Sequence, residues 1–476
     1  MSLGVRLRRT KIVCTIGPST ESPAKLRAII EAGADVLRLN YSHGTPEEHS
    51  GTIRSIRAIA AELGRPVAIL QDLPGPKIRV GTFHGGSVEL RAGDSFTLTT
   101  EHVEGDARRV SVNYRKLANE VCPGETILLA DGNVELKIQS VMPPDIHCQV
   151  LSGGVVSNHK GVNIPQGALS VGAFTERDQT LLLAGLEMGV DLAALSFVRS
   201  PTDIASARRF LAIRQASVPL MAKIEKPEAL DALDEIVAAV DSLMVARGDL
   251  GVEIPVAEVP LVQKDIIAKS IRAAKPVVTA TQMLRSMVGS PRPTRAEAAD
   301  VTNAVLDGTD AVMLSEETAV GSYPVEAVRT LAQIAEKAES RLFVGRPFIP
   351  SSEKSGGTSE AIGHAACLLA YGAEAAAIVC CTRTGQTAQL VARHRPKTHI
   401  IAVSPKEETV RRLMLTWGVL PVLSEEFEST DAMIATAIEL ARGTGLVSPG
   451  SRVVVVGGTP SVQPGQTDFL RVSSVS

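Results

Sequence analysis

Two short runs, PLMAKIE at 219–225 and LMVARGD at 243–249, decide how this chain is read. Each opens on apolar residues and closes on opposite charges, the form of a buried strand whose carboxyl end emerges at a polar rim. Six further runs share the apolar start and polar finish: KIVCTIGP (11–18), DVLRLNYS (35–42), PVAILQDL (66–73), LAALSFV (192–198), PVVTATQ (276–282) and AVMLSEE (311–317). Helical windows separate them. Thr175-Glu176 opens one and Gly189 closes it, while Pro201, Pro227 and Pro324 each stand where a helix begins. Another window starts at Pro293-Thr294, runs to Leu306 and stops at Asp307-Gly308. Eight strands alternating with helices are the number that closes a parallel (β/α)8 TIM barrel.

The strand ends carry the chemistry. Asn40, Ser42, Asp72, Ser196, Lys223, Glu225, Asp249, Thr281, Ser315 and Glu317 all fall at the carboxyl rim, where the loops of such a barrel converge. Lys223 and Glu225 lie two apart, so in a strand they share a side. Glu225 and Asp249 then offer two hard oxygen ligands suited to Mg²⁺ or Mn²⁺, and Lys223 beside them is a point charge able to stabilise a developing anion. Arg247-Gly248-Asp249 also matches an adhesion tripeptide, a match expected to be accidental at a buried strand end.

Outside these runs the rhythm changes twice. Residues 74–170 hold short alternating runs (SVELRAG, SFTLTT, TILLAD, ELKIQSV) punctuated by Gly, Asp and Pro, which predicts a small antiparallel β domain inserted at the barrel mouth as a β-barrel lid. The barrel domain is therefore expected over 1–73 and 171–344. After the Pro/Ser/Gly-rich RPFIPSSEKSGGTSE, residues 345–476 read as a third, open α/β domain with a helix near 358–372 and strands AAAIVCC, HIIAVS and RVVVVGG.

Composition narrows the partners. The 476 residues carry 49 Lys+Arg against 52 Asp+Glu, a net charge of −3, and only 3% aromatics, so neither a nucleic-acid surface nor a base-stacking platform is expected. The six cysteines show no C-x-x-C spacing, which argues against a zinc ribbon. No apolar run reaches the length of a membrane span, and MSLGVRLRRTKIV lacks a signal-peptide core, so the expected location is the cytoplasm.

Four motifs add to the rim. Arg38-Leu39-Asn40-Tyr41-Ser42-His43-Gly44 places a guanidinium and oxygen donors at the mouth, and a planar fork matches phosphoryl oxygens. The spacing of His43 to His49 does not suggest zinc. Asp72-Leu73-Pro74-Gly75-Pro76-Lys77-Ile78-Arg79 is a stiff hinge into the insertion that also carries charge. Asn158-His159-Lys160-Gly161-Val162-Asn163 puts a lysine where the insertion returns to the barrel. In the third domain Cys380-Cys381-Thr382-Arg383-Thr384-Gly385-Gln386-Thr387 joins a strand to a helix with the hydroxyls and glycine of a phosphate cradle, without the G-x-x-x-x-G-K of a nucleotide loop.

Taken together, TKIVCTIGPS, RLNYSHG, DLPGPKIR, NHKGVNIP, KIEKPEAL, MVARGDLGVEI, TATQML, PRPTRAEAADVTNAVLDGTDAVMLSEETAVGSYP and CTRTGQTA resemble the pyruvate kinase family over essentially the whole chain. The resemblance implies phosphoryl transfer from phosphoenolpyruvate to ADP, giving ATP and an enolpyruvate that takes a proton at carbon. It assigns Mg²⁺ to Glu225 and Asp249, and stabilisation of the phosphoryl group and enolate to Lys223. Gly248, Asp249 and Thr281 would bind the substrate carboxylate, with Thr281 also near the protonation path. Arg38 would hold phosphate. Asn40, His43, Arg79 and Lys160 would line the nucleotide side, Lys160 by lid closure. The loop Thr382, Arg383, Thr384, Gly385, Gln386 and Thr387 resembles the family's effector-phosphate site, so a phosphorylated effector is expected. A homotetramer is expected on the same ground, with Trp417 and the third domain contributing to assembly or regulation.

Two departures from the family stand out. Potassium-requiring members resemble D-T-K-G-P-E-I-R after the third strand, with a monovalent site at their equivalents of Asn40, Ser42, Asp72 and Leu73. Here Leu73 replaces threonine and Lys77 replaces glutamate, so a built-in ammonium stands in for K⁺ and activity is expected without it. Glu316 stands where a small residue is usual. Two rival readings remain at this level. KIEKPEAL is also similar to metal-dependent aldolases and lyases that handle enolpyruvate, but those lack the insertion and the third domain. A non-catalytic regulator on the same fold would be expected to have lost Lys223, Glu225, Asp249 or Thr281, and all four are present.

Overall fold

A computed structural model describes residues 8–165, 170–342, 357–459 and 465–475. Its centre is a closed barrel of eight parallel strands: Lys11–Ile16, Val36–Asn40, Ala68–Asp72, Leu192–Leu195, Leu220–Ile224, Ser242–Ala246, Val277–Ala280 and Ala311–Leu314. The last pairs back onto the first, with Lys11 opposite Ala311. Each strand stops one to three residues short of the end of the run that predicts it, so the polar residues of the rim mostly lie at or just past the end of the ladder. The helices begin where local chemistry allows. Thr175 caps Glu176–Glu187 in a reciprocal box with Asp178, Thr294 caps Arg295–Asp307 with Glu297, and Gly308 ends that helix with φ +97°.

The barrel interior is filled, not hollow. Val13, Val36, Ala68, Leu70, Ala194, Met221, Met244, Val278, Ala280 and Met313 form one apolar cluster along the axis. Met414 and Leu415 of the carboxyl-terminal domain join that cluster and so plug the barrel from its amino end. Two residues above this layer, on the same inward face, come Thr15, Arg38, Asp72, Ser196, Lys223 and Ser315. Apolar packing below fixes the height and direction of the polar layer above.

Between barrel strands three and four the insertion forms a six-stranded sheet and a two-stranded ribbon around a single apolar core. One pair in the larger sheet, Ser95–Thr99 with Arg109–Ser111, runs parallel, so the unit is not purely antiparallel. The carboxyl-terminal sheet has five strands in the order Val419–Leu423, His399–Ser404, Ala377–Cys381, Arg452–Gly457 and Phe469–Ser474, the last antiparallel. Sequence reading finds the three central strands and misses both edges. An edge tolerates Pro421 and the exposed polar positions of FLRVSS, which blur the strand pattern. The expected boundary at 345 lies outside the described residues.

Trp417 is 1% exposed within the chain, its backbone N–H donates to Asp310 Oδ1 (3.0 Å), and the Arg395 guanidinium lies 5.0 Å from the ring. It packs where the carboxyl-terminal domain meets the barrel.

Candidate active site

At the barrel mouth the strand register brings together residues that are far apart in sequence. Asn40 pairs in register with Asp72, and Asp72 with Ala194, so strands two, three and four end level. Lys223 lies one strand further round. Its ammonium donates to Ser196 Oγ (2.7 Å) and sits 3.2 Å from Asp72 Oδ1 and 3.0 Å from Glu225 Oε1. The contact with Glu225 is the one that a two-residue spacing in a strand predicts. Ser196 Oγ donates in turn to the carbonyl of Leu73 (2.7 Å). Arg38 closes the other side of Asp72, donating from Nε to Oδ2 (2.6 Å) and from Nη1 to Thr15 Oγ1 (2.9 Å).

These contacts set the charge states. Burial alone would drive the Lys223 ammonium towards neutrality, but Asp72 and Glu225 outweigh it and hold the pKa above its ordinary value. Burial works against the Asp72 carboxylate too, yet Lys223 and Arg38 hold its pKa below the usual carboxylate range. Glu225 goes the other way. Burial raises its pKa most, Asp249 adds to the rise, and Lys223 offsets only part. The mouth therefore holds a firmly protonated lysine beside two acids that repel each other.

That repulsion bears on metal fit. Glu225 is 1% exposed; its Oε2 accepts the Phe197 N–H (2.7 Å) and its Oε1 pairs with Lys223, leaving about half of a carboxylate's acceptor positions unused. Among the described residues Asp249 has one ion pair within 4 Å, with Lys77 at 3.9 Å. Among the described residues no group of three metal-ligating side chains occurs, so a metal here would have two protein carboxylates and take other oxygens from substrate and water. This is the donor set that suits Mg²⁺.

Asp249 does not lie at a strand end, as expected for LMVARGD. The strand stops at Ala246, and Arg247–Glu253 is a short helix. Gly248 and Asp249 thus occupy its first turn, where backbone N–H groups lack helical partners. The Gly248 N–H is already used: it donates to Thr281 Oγ1 (2.8 Å), whose own hydrogen goes to the Ala280 carbonyl (2.6 Å). Thr281 has φ +67° and Gln282 φ +58°. Of the carboxylate-binding set, Gly248 and Thr281 are engaged with each other.

The remaining predicted residues are spread more widely. Ser42 N–H donates to Asn40 Oδ1 (3.2 Å), and the exposed His43 accepts from His49 Nε2 at its carbonyl (2.9 Å), with His49 stacked on Tyr41. Arg79 Nη1 donates to the His159 carbonyl (2.8 Å) inside the insertion. Lys160 is exposed, with no side-chain partner among the described residues. Leu73 buries its side chain in the core, so it offers only a carbonyl, already bonded by Ser196. The loop 382–387 belongs to the carboxyl-terminal domain. There Thr382 Oγ1 accepts from Gly385 N (2.9 Å), Arg383 pairs with Glu426 (2.6 Å), and Thr387 Oγ1 meets Thr467 Oγ1 (2.8 Å). Glu316 makes an exposed ion pair with Arg285 (2.9 Å).

Sequence reasoning missed Thr15, Arg247 with Asp300, and Glu253. The buried Glu253 carboxylate joins Asn163 of the insertion (2.8 Å) to Lys226 of the barrel (2.9 Å). Thr15 carries a detectable signal, since it follows Val13 by two on the inward face of the first strand.

Comparison with known proteins agrees with this geometry. The pyruvate kinase barrel-domain family matches residues 7–328, and the pyruvate kinase alpha/beta-domain family matches residues 360–473. Pyruvate kinase 2 of Synechocystis is 49% identical over 98% of this chain and 79% of its own length. The pyruvate kinase of Clostridium acetobutylicum is 43% identical over 98% of this chain and all of its own length, and that of Geobacillus stearothermophilus is 46% identical over 98% and 81%. A crystal structure of a pyruvate kinase from Cryptosporidium parvum superposes with a TM-score of 0.92 at 35% identity, covering 99% of this chain and 97% of that one. Neither the lyase nor the regulator reading is favoured by these likenesses. With an eight-stranded barrel, an inserted lid, a separate α/β domain and both family matches in place, the chain belongs to the pyruvate kinase family of phosphotransferases.

Proposed function

We propose that the chain transfers the phosphoryl group of phosphoenolpyruvate to ADP, forming ATP and enolpyruvate, which takes a proton at carbon to become pyruvate. The observation that carries this reading is the Lys223 ammonium, held protonated by Asp72 and Glu225 at the centre of the mouth. Such a reaction needs no covalent nucleophile; it needs alignment and neutralised charge. Lys223 faces the oxygen from which the phosphoryl group departs and stabilises the enolate left behind. Arg38, oriented by Asp72 and Thr15, holds phosphoryl oxygens with its fork. Thr281, with the first-turn N–H groups of Gly248 and Asp249, receives the substrate carboxylate, which requires the Gly248–Thr281 bond to reorganise. Asn40, His43 and Arg79 face the nucleotide, and Lys160 reaches it when the insertion closes and excludes water.

Glu225 and Asp249 would hold Mg²⁺ or Mn²⁺, which supplies Lewis-acid neutralisation of the phosphoryl and enolate oxygens. No K⁺ is required on this reading. Residue 73 contributes no side-chain oxygen, and Lys77 brings a positive charge within 3.9 Å of Asp249. Two monovalent cations there would repel by a few kcal/mol at an effective dielectric near ~20. The monovalent set Asn40, Ser42, Asp72 and Leu73 is therefore replaced in function by Lys77. The loop 382–387 would take a phosphorylated effector, and the protein would work as a cytoplasmic homotetramer. Among the described residues no helix is long and apolar enough to cross a membrane.

The test is pyruvate formation from phosphoenolpyruvate, ADP and Mg²⁺, run with K⁺ and with tetramethylammonium in its place. Equal rates are expected. Turnover only with K⁺ would remove the role given to Lys77 and keep the enzyme; no turnover in either, with sugar phosphates and nucleotide monophosphates also tried, would remove both.

A further inference from the structure

Strand alternation by itself sends Thr281 the wrong way. Val278 and Ala280 line the barrel interior, so Thr281 shares the outward face of Thr279, whose hydroxyl bonds Thr309. The chain escapes this by turning left-handed directly after the strand, at Thr281 (φ +67°) and again at Gln282 (φ +58°). A β-branched residue at positive φ is a steric outlier that persists only when its surroundings over-determine it.

One side chain does most of that. Arg247, at the start of the helix after strand six, reaches across to the end of strand seven. Its Nε donates to the Ala280 carbonyl (3.1 Å) and its Nη2 to the Thr281 carbonyl (2.6 Å) and Met283 Sδ (2.7 Å). On the other edge of the fork, Nη1 donates to both oxygens of Asp300 (2.8 and 2.7 Å), which projects from Arg295–Asp307, and lies 3.4 Å from Gln263 Oε1. The Arg247 side chain is 12% exposed. The next residue is Gly248, whose N–H donates to Thr281 Oγ1. One guanidinium thus satisfies two consecutive carbonyls at a turn, while the backbone beside it holds the hydroxyl.

We propose that Arg247, oriented by Asp300, is a positioning residue for Thr281: it holds the left-handed turn that carries the Thr281 hydroxyl into the mouth and locks it to Gly248. The assignment rests on the role given above to Thr281 and adds a residue that touches no substrate. Lysine is not an equivalent, because an ammonium lacks the planar fork that spans Ala280, Thr281 and Asp300 together.

A double-mutant cycle tests it in the full-length chain. Arg247→Lys is expected to lower kcat for pyruvate formation by roughly ten- to a hundredfold. Its effect on the KM for ADP should be small, since the nucleotide side is remote from strand seven. Thr281→Ser lowers kcat as well. If Arg247 acts through Thr281, the double variant is scarcely worse than the poorer single one; losses that multiply would overturn the proposal. Exchange of the pyruvate methyl protons for deuterium, with Mg²⁺ and ATP present, should fall in parallel with kcat. Should Arg247→Lys fail to fold, Asp300→Asn at a partly exposed position takes its place in the same cycle, with a smaller loss that Thr281→Ser again absorbs. A second readout does not depend on turnover. Exchange of the Gly248 amide is expected to be slow in the wild-type chain and faster in Arg247→Lys or Asp300→Asn. Unchanged protection there would refute the clamp, whereas a wild-type chain inactive on phosphoenolpyruvate, with that loss of protection still seen in the variants, would refute only the reaction assigned to the mouth.

Discussion

The two ends of the barrel treat buried charge in opposite ways. At the amino end Asp35 lies between Arg8 (2.7 Å) and Arg65 (3.4 Å), and Asp191 between Arg57 and Arg411 (2.7 Å each). Both acids also accept a strand N–H, from Ile12 and from Ile69. Arg411 belongs to the carboxyl-terminal domain, so its pair with Asp191 joins two domains beside a cavity of about 590 Å³. At the carboxyl end the acids crowd each other, and Glu225 is left with a raised pKa beside Asp249. Satisfied pairs hold the structure together. A frustrated pair waits for a cation, and that difference separates architecture from chemistry.

The comparison is broken most severely at Lys223. Lys223→Gln removes the ammonium shared by Asp72 and Glu225, and turnover is expected to fall by roughly a hundred- to a thousandfold. A loss under tenfold in the pyruvate assay would mean that the centre of the mouth has been misplaced. At the other end Asp191→Asn removes the carboxylate charge that two guanidinium groups share. It should destabilise by about 3 kcal/mol in denaturant titration while leaving kcat per folded molecule unchanged.

Divalent cation sharpens the contrast. Because the Glu225 pKa is raised in the cation-free site, a cation must displace a proton there, so its affinity falls as pH drops through that raised value. Mg²⁺ is expected to raise the thermal midpoint, more so as pH increases, and chelation should reverse it. The shift should vanish in Glu225→Gln and survive in Asp191→Asn. Lys11, at the amino end, offers a smaller test. Burial lowers its pKa to about 8, only partly offset by Asp35, and its ammonium bonds the Val419 carbonyl (2.7 Å). A lysine depressed in the folded state opposes folding at and below that pH, and the cost disappears as pH rises towards its unfolded value. The stability of Lys11→Met relative to wild type should therefore decline between pH 8 and about 10.4. Smallest of all, Glu316→Ala removes an exposed pair with Arg285 and should change stability by less than ~0.5 kcal/mol.

Much of this was legible along the chain because the signals are local. A two-residue period put Lys223 and Glu225 on one side, and their 3.0 Å contact follows from it. Capping residues marked Glu176–Glu187 and Arg295–Asp307, since a cap acts on its own first turn. Eight apolar runs with polar ends implied a parallel barrel and a reactive rim. The edge strands of the third domain were not legible, because an edge tolerates proline and polar residues.

What only the tertiary structure decided depends on distance in sequence or on a break in the local rule. Thr281 reaches the mouth through a left-handed turn that alternation forbids, held by a guanidinium 34 residues away. Arg247-Gly248-Asp249 reads as a strand end, yet starts a helix, because the barrel ladder stops at Ala246. Trp417 is spent on the barrel, and Arg411 reaches Asp191 across 220 residues. Periodicity, capping and turn chemistry act within a few residues, so a sequence displays them. Which charges pair, and which are left to repel, is set by solvent exclusion and by neighbours that only the closed fold brings together.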